Sequence, residues 1–144
     1  MKKFILLIFI LITSVSIPEL NAQSKLAKDI VGIWKPLKIY DLGAVVPEGS
    51  QKQIEEAQKR FFNSKFDFKA DHNFSFNCGY KEVDFKDVHW KILPDNGQIV
   101  IQEWRDKDKE GPVLMGITVL KKDGKVIFML EESFFAFEMK KVSE

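Results

Sequence analysis

The sequence has one cysteine, Cys78, in 144 residues. A lone thiol cannot close an internal disulfide, so the fold takes nothing from cross-links even in an oxidising compartment. A lipoprotein signal needs a cysteine immediately after the cleavage point, and Cys78 is far downstream of any such point. Histidine is also scarce, with only His72 and His89. Neither belongs to a His-x-His, a His-Glu-x-x-His or a cysteine cluster, so no familiar metal-ligand spacing is present, and no cofactor motif either. Charge of one sign is missing too. The chain has 22 basic and 21 acidic residues, and discarding Lys2, Lys3 and Glu19 with an N-terminal leader leaves 20 of each. Nucleic acid and anionic membrane surfaces are bound through basic excess, so the balance argues against both as partners. Repeats and low-complexity tracts are absent.

Long apolar runs are limited to one, Phe4 to Ile12, after the basic start Met1-Lys2-Lys3. Thr13, Ser14 and Ser16 soften it, Pro18 breaks it, and the small residue Ala22 follows. This is the order of a secretory signal, with cleavage expected between Ala22 and Gln23. A membrane span takes roughly 20 apolar residues, so the run is too short for a stable anchor. Residues 1–22 are therefore read as a cleavable signal peptide and 23–144 as one exported domain, periplasmic or extracellular.

Aromatic residues are plentiful, with 13 phenylalanines, and most alternate with polar residues. Phe66 and Phe68 alternate with Lys65, Asp67 and Lys69, and Phe74, Phe76, Cys78 and Tyr80 with Ser75, Asn77 and Gly79. A period of two marks half-buried strands. Asp71-His72-Asn73, Pro94-Asp95-Asn96-Gly97 and Asp123-Gly124 supply the turns. Strands are expected over Gly32–Tyr40, Lys65–Lys69, Phe74–Tyr80, Val88–Ile92, Ile99–Trp104, Val113–Leu120, Val126–Leu130 and Phe134–Val142, with Lys81 to Asp87 as a connection. Ser24 to Val31 reads as a short lead-in turn or helix.

One segment keeps a helical period. Ser50 to Ser64 has Ile54, Ala57, Phe61 and Phe62 on one stripe, with Ser50 and Gln53 spaced as a capping box. Glu55 with Lys59, and Glu56 with Arg60, are four apart in the favourable order for ion pairs on a solvated face. The stripe is expected to pack on the sheet. Eight strands joined mostly by short turns form an antiparallel meander, and closure into a barrel removes its edges. The expected fold is all-β: an eight-stranded up-and-down barrel with one helix between strands 1 and 2.

The run Gly32-Ile33-Trp34, at the start of the first strand and just after a helical lead-in, resembles the Gly-x-Trp motif of lipocalins. The Phe-rich hairpin Phe66 to Tyr80, the second tryptophan Trp90 and the closing Asp123-Gly124 hairpin are similar to the lipocalin-like, calycin-type families of small secreted bacterial proteins. The resemblance implies that Gly32 and Trp34 are structural, with Trp34 plugging the closed barrel end. True lipocalins also have a Thr-Asp-Tyr-like motif and an arginine on the last strand. Neither is present, although Lys140 or Lys141 could cover Trp34 by a cation–π contact.

A barrel of eight strands holds either a filled core or one small ligand. If it holds a ligand, Phe66, Phe68, Phe74, Phe76, Trp90, Phe128, Phe135 and Phe137 line the cavity, and Tyr40 and Tyr80 orient a polar group. The first functional expectation is thus an exported, lipocalin-like protein binding a small apolar or amphipathic ligand. The second is a filled-core interaction module, such as an inhibitor or envelope-assembly factor, acting through the loops Asp41–Gly49 and Asp106–Pro112. No catalytic role is expected. A Cys78–His89 pair has no oxyanion motif beside it, and Glu131 and Glu132, as neighbours, point to opposite faces of a strand.

Overall fold

The computed structural model describes residues 17–41, 47–131, 133 and 135–143. The apolar run of the expected signal, most of the loop Asp41–Gly49, and Glu132 and Phe134 lie outside the described residues. The chain divides into two units, residues 1–30 and 31–144. The first contributes helix α1, Ile17–Ile30. Pro18 sits in its first turn, where a missing N–H breaks no helical bond. Lys25 reaches Asp29 one turn later at 3.4 Å, an exposed pair of small energetic weight. The helix runs through Ala22 and Gln23, where cleavage is expected.

In the second unit, period-two patterning becomes eight antiparallel strands. They are β1 (Gly32–Asp41), β2 (Lys65–Phe68), β3 (Asn73–Asn77), β4 (Phe85–Ile92), β5 (Ile99–Gln102), β6 (Met115–Lys122), β7 (Lys125–Leu130) and β8 (Phe135–Ser143). Each pairs with the next, and β8 pairs with β1 to close the barrel. Helix α2, Gln51–Phe62, lies between β1 and β2. The expected fold class is the observed one.

Register fixes which side chains face inward. Phe66 lies opposite Phe76, Phe68 opposite Phe74, Trp90 opposite Ile101, Ile99 opposite Ile117, and Phe128 opposite Phe137. All are buried. Because connections alternate between ends, the turns 69–72, 93–98 and 123–124 share one end of the barrel. Helix α2 and the segments 78–84, 103–114 and 131–134 share the other. We call these the hairpin end and the helix end.

Gly32 and Trp34 secure the hairpin end. Gly32 has φ +133°, and a Cβ there would come within 2.5 Å of the Ser143 carbonyl oxygen, so β1 can lie beside the end of β8 only without a side chain. Trp34 is buried against Phe128 at 5.4 Å between ring centroids, and Lys141 Nζ lies 5.2 Å from its ring. Of the two lysines considered, Lys141 makes the contact. Asp123 (φ 52°) and Gly124 (φ 74°) form the β6–β7 turn with both residues left-handed, as a tight hairpin of this type requires.

Several boundaries differ from the sequence reading. β4 begins at Phe85, inside the expected connection, because a register shift between Phe74 and Phe76 with Asp87 at φ 55° interrupts the alternation. Trp104 is not in β5 but opens a 3-10 turn, Trp104–Asp106, and β6 starts at Met115. The capping box of α2 does not form. Ser50 is already helical (φ −88°, ψ 0°), whereas side-chain capping uses an extended residue, so only its carbonyl enters the helix by accepting the Ile54 N–H at 3.1 Å.

Candidate functional site at the helix end

The barrel interior is occupied by ring-to-ring contacts. Phe66 lies 4.8 Å from Phe76 and 5.6 Å from Phe128, and Phe68 lies 4.7 Å from Phe74 and 5.7 Å from Trp90. The Trp90 indole N–H, which could not be left unbonded in such a core, donates to the Lys69 carbonyl at 2.9 Å. Tilted and edge-on aromatic pairs at these spacings pack to high density. Phe66, Phe68, Phe74, Phe76, Trp90, Phe128 and Phe137 are thus brought together inside the barrel as its filling.

Open space lies at the helix end. The stripe of α2 turns Phe61 onto the barrel, 5.7 Å from Phe137 and 6.0 Å from Phe76. Phe62, expected on the same stripe, is exposed instead. Beside Phe61 is a hollow of about 380 Å³ lined by Phe61, Val83, Phe85, Leu114, Met115, Leu130, Glu131, Ser133 and Phe135. It draws on α2 and on all three segments of that end. Phe135 is the one candidate from the sequence that lines it. The other lining residues come from distant stretches and share no local period.

Across the 80–83 turn is a second hollow of about 450 Å³, lined by Glu56, Lys59, Arg60, Asn63, Cys78 and Tyr80. The ion pairs expected along α2, Glu55–Lys59 and Glu56–Arg60, are absent among the described residues. Arg60 turns instead to the β3–β4 segment, with its guanidinium carbon 3.7 Å from the Tyr80 ring centroid. Tyr80 therefore stands at the helix end rather than within the interior. Cys78 is buried, and burial pushes its thiol above the ordinary range, which disfavours a reactive thiolate.

Tyr40 points away from the interior. Its hydroxyl donates to Glu138 at 2.7 Å, and Lys125 reaches the same carboxylate at 3.4 Å. That hydrogen bond is the main reason the Glu138 carboxyl lies below its ordinary range and the Tyr40 hydroxyl above its own. The cause is a bulge. Pro36 pairs with Met139 but Lys38 with Glu138, so Leu37 is an extra residue and strand parity reverses before Tyr40.

The histidines form a separate cluster near the β2–β3 turn. His72 (φ 67°) stacks on Trp90 at 4.5 Å, and its Nδ1–H donates to the Trp90 carbonyl at 3.0 Å. His89 is buried between His72 at 5.8 Å and Trp104 at 4.7 Å. Cys78 follows the end of β3 whereas His89 pairs with Asn73 at its start, so the two are not brought together. Among the described residues no group of three His, Cys, Asp or Glu side chains could hold a metal ion.

The fold and its helix-covered end define a closed eight-stranded antiparallel barrel with an aromatic core and an apolar mouth. No family model matches the chain, and no curated protein or solved structure is significantly similar to it.

Proposed function

We propose that this is an exported, lipocalin-like binding protein that takes a small apolar or amphipathic ligand at the helix end of its barrel, and that it binds the ligand without transforming it. The observation that carries the reading is the hollow of about 380 Å³ beside Phe61. Its volume falls within the range of small-molecule sites, roughly 300–1,000 Å³, and its walls are mainly apolar with a few polar groups, as such sites require. Ligand burial there would be driven by removal of apolar surface from water, about 25 cal/mol per Å². Export is supported by the order of the N-terminal residues, a basic start, one short apolar run and Ala22. Among the described residues no helix is long and apolar enough to cross a membrane. The intact mass of protein recovered from its own envelope should begin at Gln23; a chain beginning at Met1 would refute export by cleavage.

The ligand test is native mass spectrometry of the mature protein, alone and with added lipid extract, beside Leu114→Asp. Leu114 is 37 % exposed on the rim, so a charge there should spare the fold while opposing apolar occupancy. A stoichiometric adduct that Leu114→Asp abolishes is the expected result. The filled interior favours a second reading, in which the barrel is a rigid scaffold for surface interactions through the 106–112 loop and the exposed Val113. An apo mass that lipid never shifts would select that reading.

A further inference from the structure

We propose that the ligand of the helix end has a carboxylate head, and that Arg60, held on Tyr80, is the residue that recognises it. The inference rests on the binding reading above and names its chemical class. Arg60 is one residue before Phe61 on α2, so the same turn supplies one wall residue to the polar hollow and one to the apolar hollow. The 80–83 turn does likewise, with Tyr80 on the polar side and Val83 on the apolar side. An amphipath lying over these shared walls would put its chain on Phe61 and Val83 and its head at Arg60.

Arg60 has the properties that role needs. No carboxylate pairs with it among the described residues, although Glu56 lines the same hollow one helical turn earlier. Its Nε is buried with no hydrogen-bond acceptor. The side chain as a whole is half-buried, so the terminal N–H groups border the hollow while Nε is held out of water without an acceptor, and a planar guanidinium is satisfied best by a carboxylate accepting two parallel bonds. Contact with Tyr80 engages the ring face, 3.7 Å away, and leaves the other N–H donors of the fork free in the guanidinium plane. Lys59 and Asn63 add a second cation and an amide to the same hollow. Glu56 limits the excess there to one positive charge, which matches a monoanionic head better than a dianionic phosphate. Asp84 on the β3–β4 segment is occupied by the Cys78 N–H at 2.7 Å and the Asn77 amide at 3.2 Å.

Titration calorimetry of the full mature protein with decanoate, decan-1-ol and acetate at pH 8 tests the assignment, with Arg60→Gln and Arg60→Lys beside the wild type. Decanoate should bind roughly tenfold or more tighter than decan-1-ol, the size of effect expected of charge-assisted hydrogen bonds. Arg60→Gln should bring decanoate down to the level of the alcohol, closing the gap between acid and alcohol. Arg60→Lys keeps the charge without the fork and should fall between the two, which also serves if the glutamine variant does not fold. Equal binding of acid and alcohol, unaffected by either variant, would overturn the carboxylate assignment and leave the apolar site standing. Acetate binding as tightly as decanoate would overturn the amphipath in favour of a free-anion site. Binding of none of the three would overturn both the head group and the helix-end site.

Discussion

Replacing Phe128 by alanine removes the ring at the centre of the barrel filling. Phe128 has no exposed surface and lies within 5.4 Å of Trp34, 5.6 Å of Phe66 and 6.2 Å of Phe68 between ring centroids. Its neighbours are themselves large rings on strands fixed by pairing on both sides, so they cannot collapse into the vacated volume. The cost should therefore lie at the upper part of the usual range for buried Phe→Ala changes, about 3–5 kcal/mol. For a unit of this size that corresponds to a fall in Tm of roughly 10–20 °C. Urea unfolding followed by far-ultraviolet circular dichroism measures it, with an unchanged m-value as the check that only the native state has been altered. Leu120→Ala is the control, because Leu120 is 44 % exposed on β6 and should move stability by no more than about 0.5 kcal/mol. The reasoning fails if Phe128→Ala costs under about 1.5 kcal/mol. Such a value would mean that the ring already bordered open space, and the site proposed at the helix end would then have a rival in the barrel centre among the phenylalanines.

Two further outcomes follow from the hairpin end and the histidine cluster. Gly32→Ala places a methyl within 2.5 Å of the Ser143 carbonyl at a φ of +133°, so it should destabilise by about 1–3 kcal/mol and weaken the β1–β8 pairing, read as faster amide exchange in those two strands. His89 is held below the ordinary histidine range, first by burial and then by the positive charges of His72, Lys91 and Lys107, with Asp108 opposing. A depressed histidine favours the neutral folded state, so stability is complete above about pH 6.5 and declines as the pH falls below it, where the unfolded chain takes the proton first. Thermal melts between pH 7.5 and 5 should show that decline, His89→Gln should flatten it, and an unchanged slope in the variant would assign the decline to other groups.

Strand order and core were legible wherever one period ran unbroken. Phe66 to Phe76, Trp90 and Phe128 could be placed because a strand that shows one face to a core must alternate, and Phe is too apolar to be left on the other face in such numbers. Legibility failed where a single extra residue broke the period. Leu37 reverses the parity of β1 and turns Tyr40 outward, and the shift around Asp87 hides the start of β4 at Phe85. Neither residue is a glycine, the usual punctuation for such breaks; Pro36, which cannot donate to a ladder, marks a bend beside Leu37 without fixing the extra residue, and Asp87 has no such marker. The helix-end hollow was invisible for another reason. Val83 and Leu114 lie in separate connections, Leu130 and Phe135 at the ends of β7 and β8, and they converge only when the barrel closes. Arg60 was misplaced by a sound local rule, since four-residue spacing does favour its pairing with Glu56, but such a pair is worth only about 0.2–0.5 kcal/mol. A ring contact at 3.7 Å outweighs it easily.

That imbalance bears on why α2 lies between β1 and β2. A barrel whose interior is already occupied by aromatic rings leaves open space where a strand connection is held off the end. A two-residue turn cannot do this, because its chain is committed to the ladder. A helix can, since its own backbone bonds are satisfied internally and it needs only a side-chain foothold. In α2 that foothold is Phe61 on Phe76 and Phe137, and no residue of the helix is fully buried. The helix is thus held from one side, by Phe61 on these rings and by Arg60 on Tyr80, with the rest of its surface at least partly exposed. A helix held this way leaves the hollow beside Phe61 open, whereas the barrel beneath it has Phe66, Phe74 and Phe128 packed ring to ring. A filled core and an open helix end are therefore complementary, and both follow from where phenylalanine is placed along the chain.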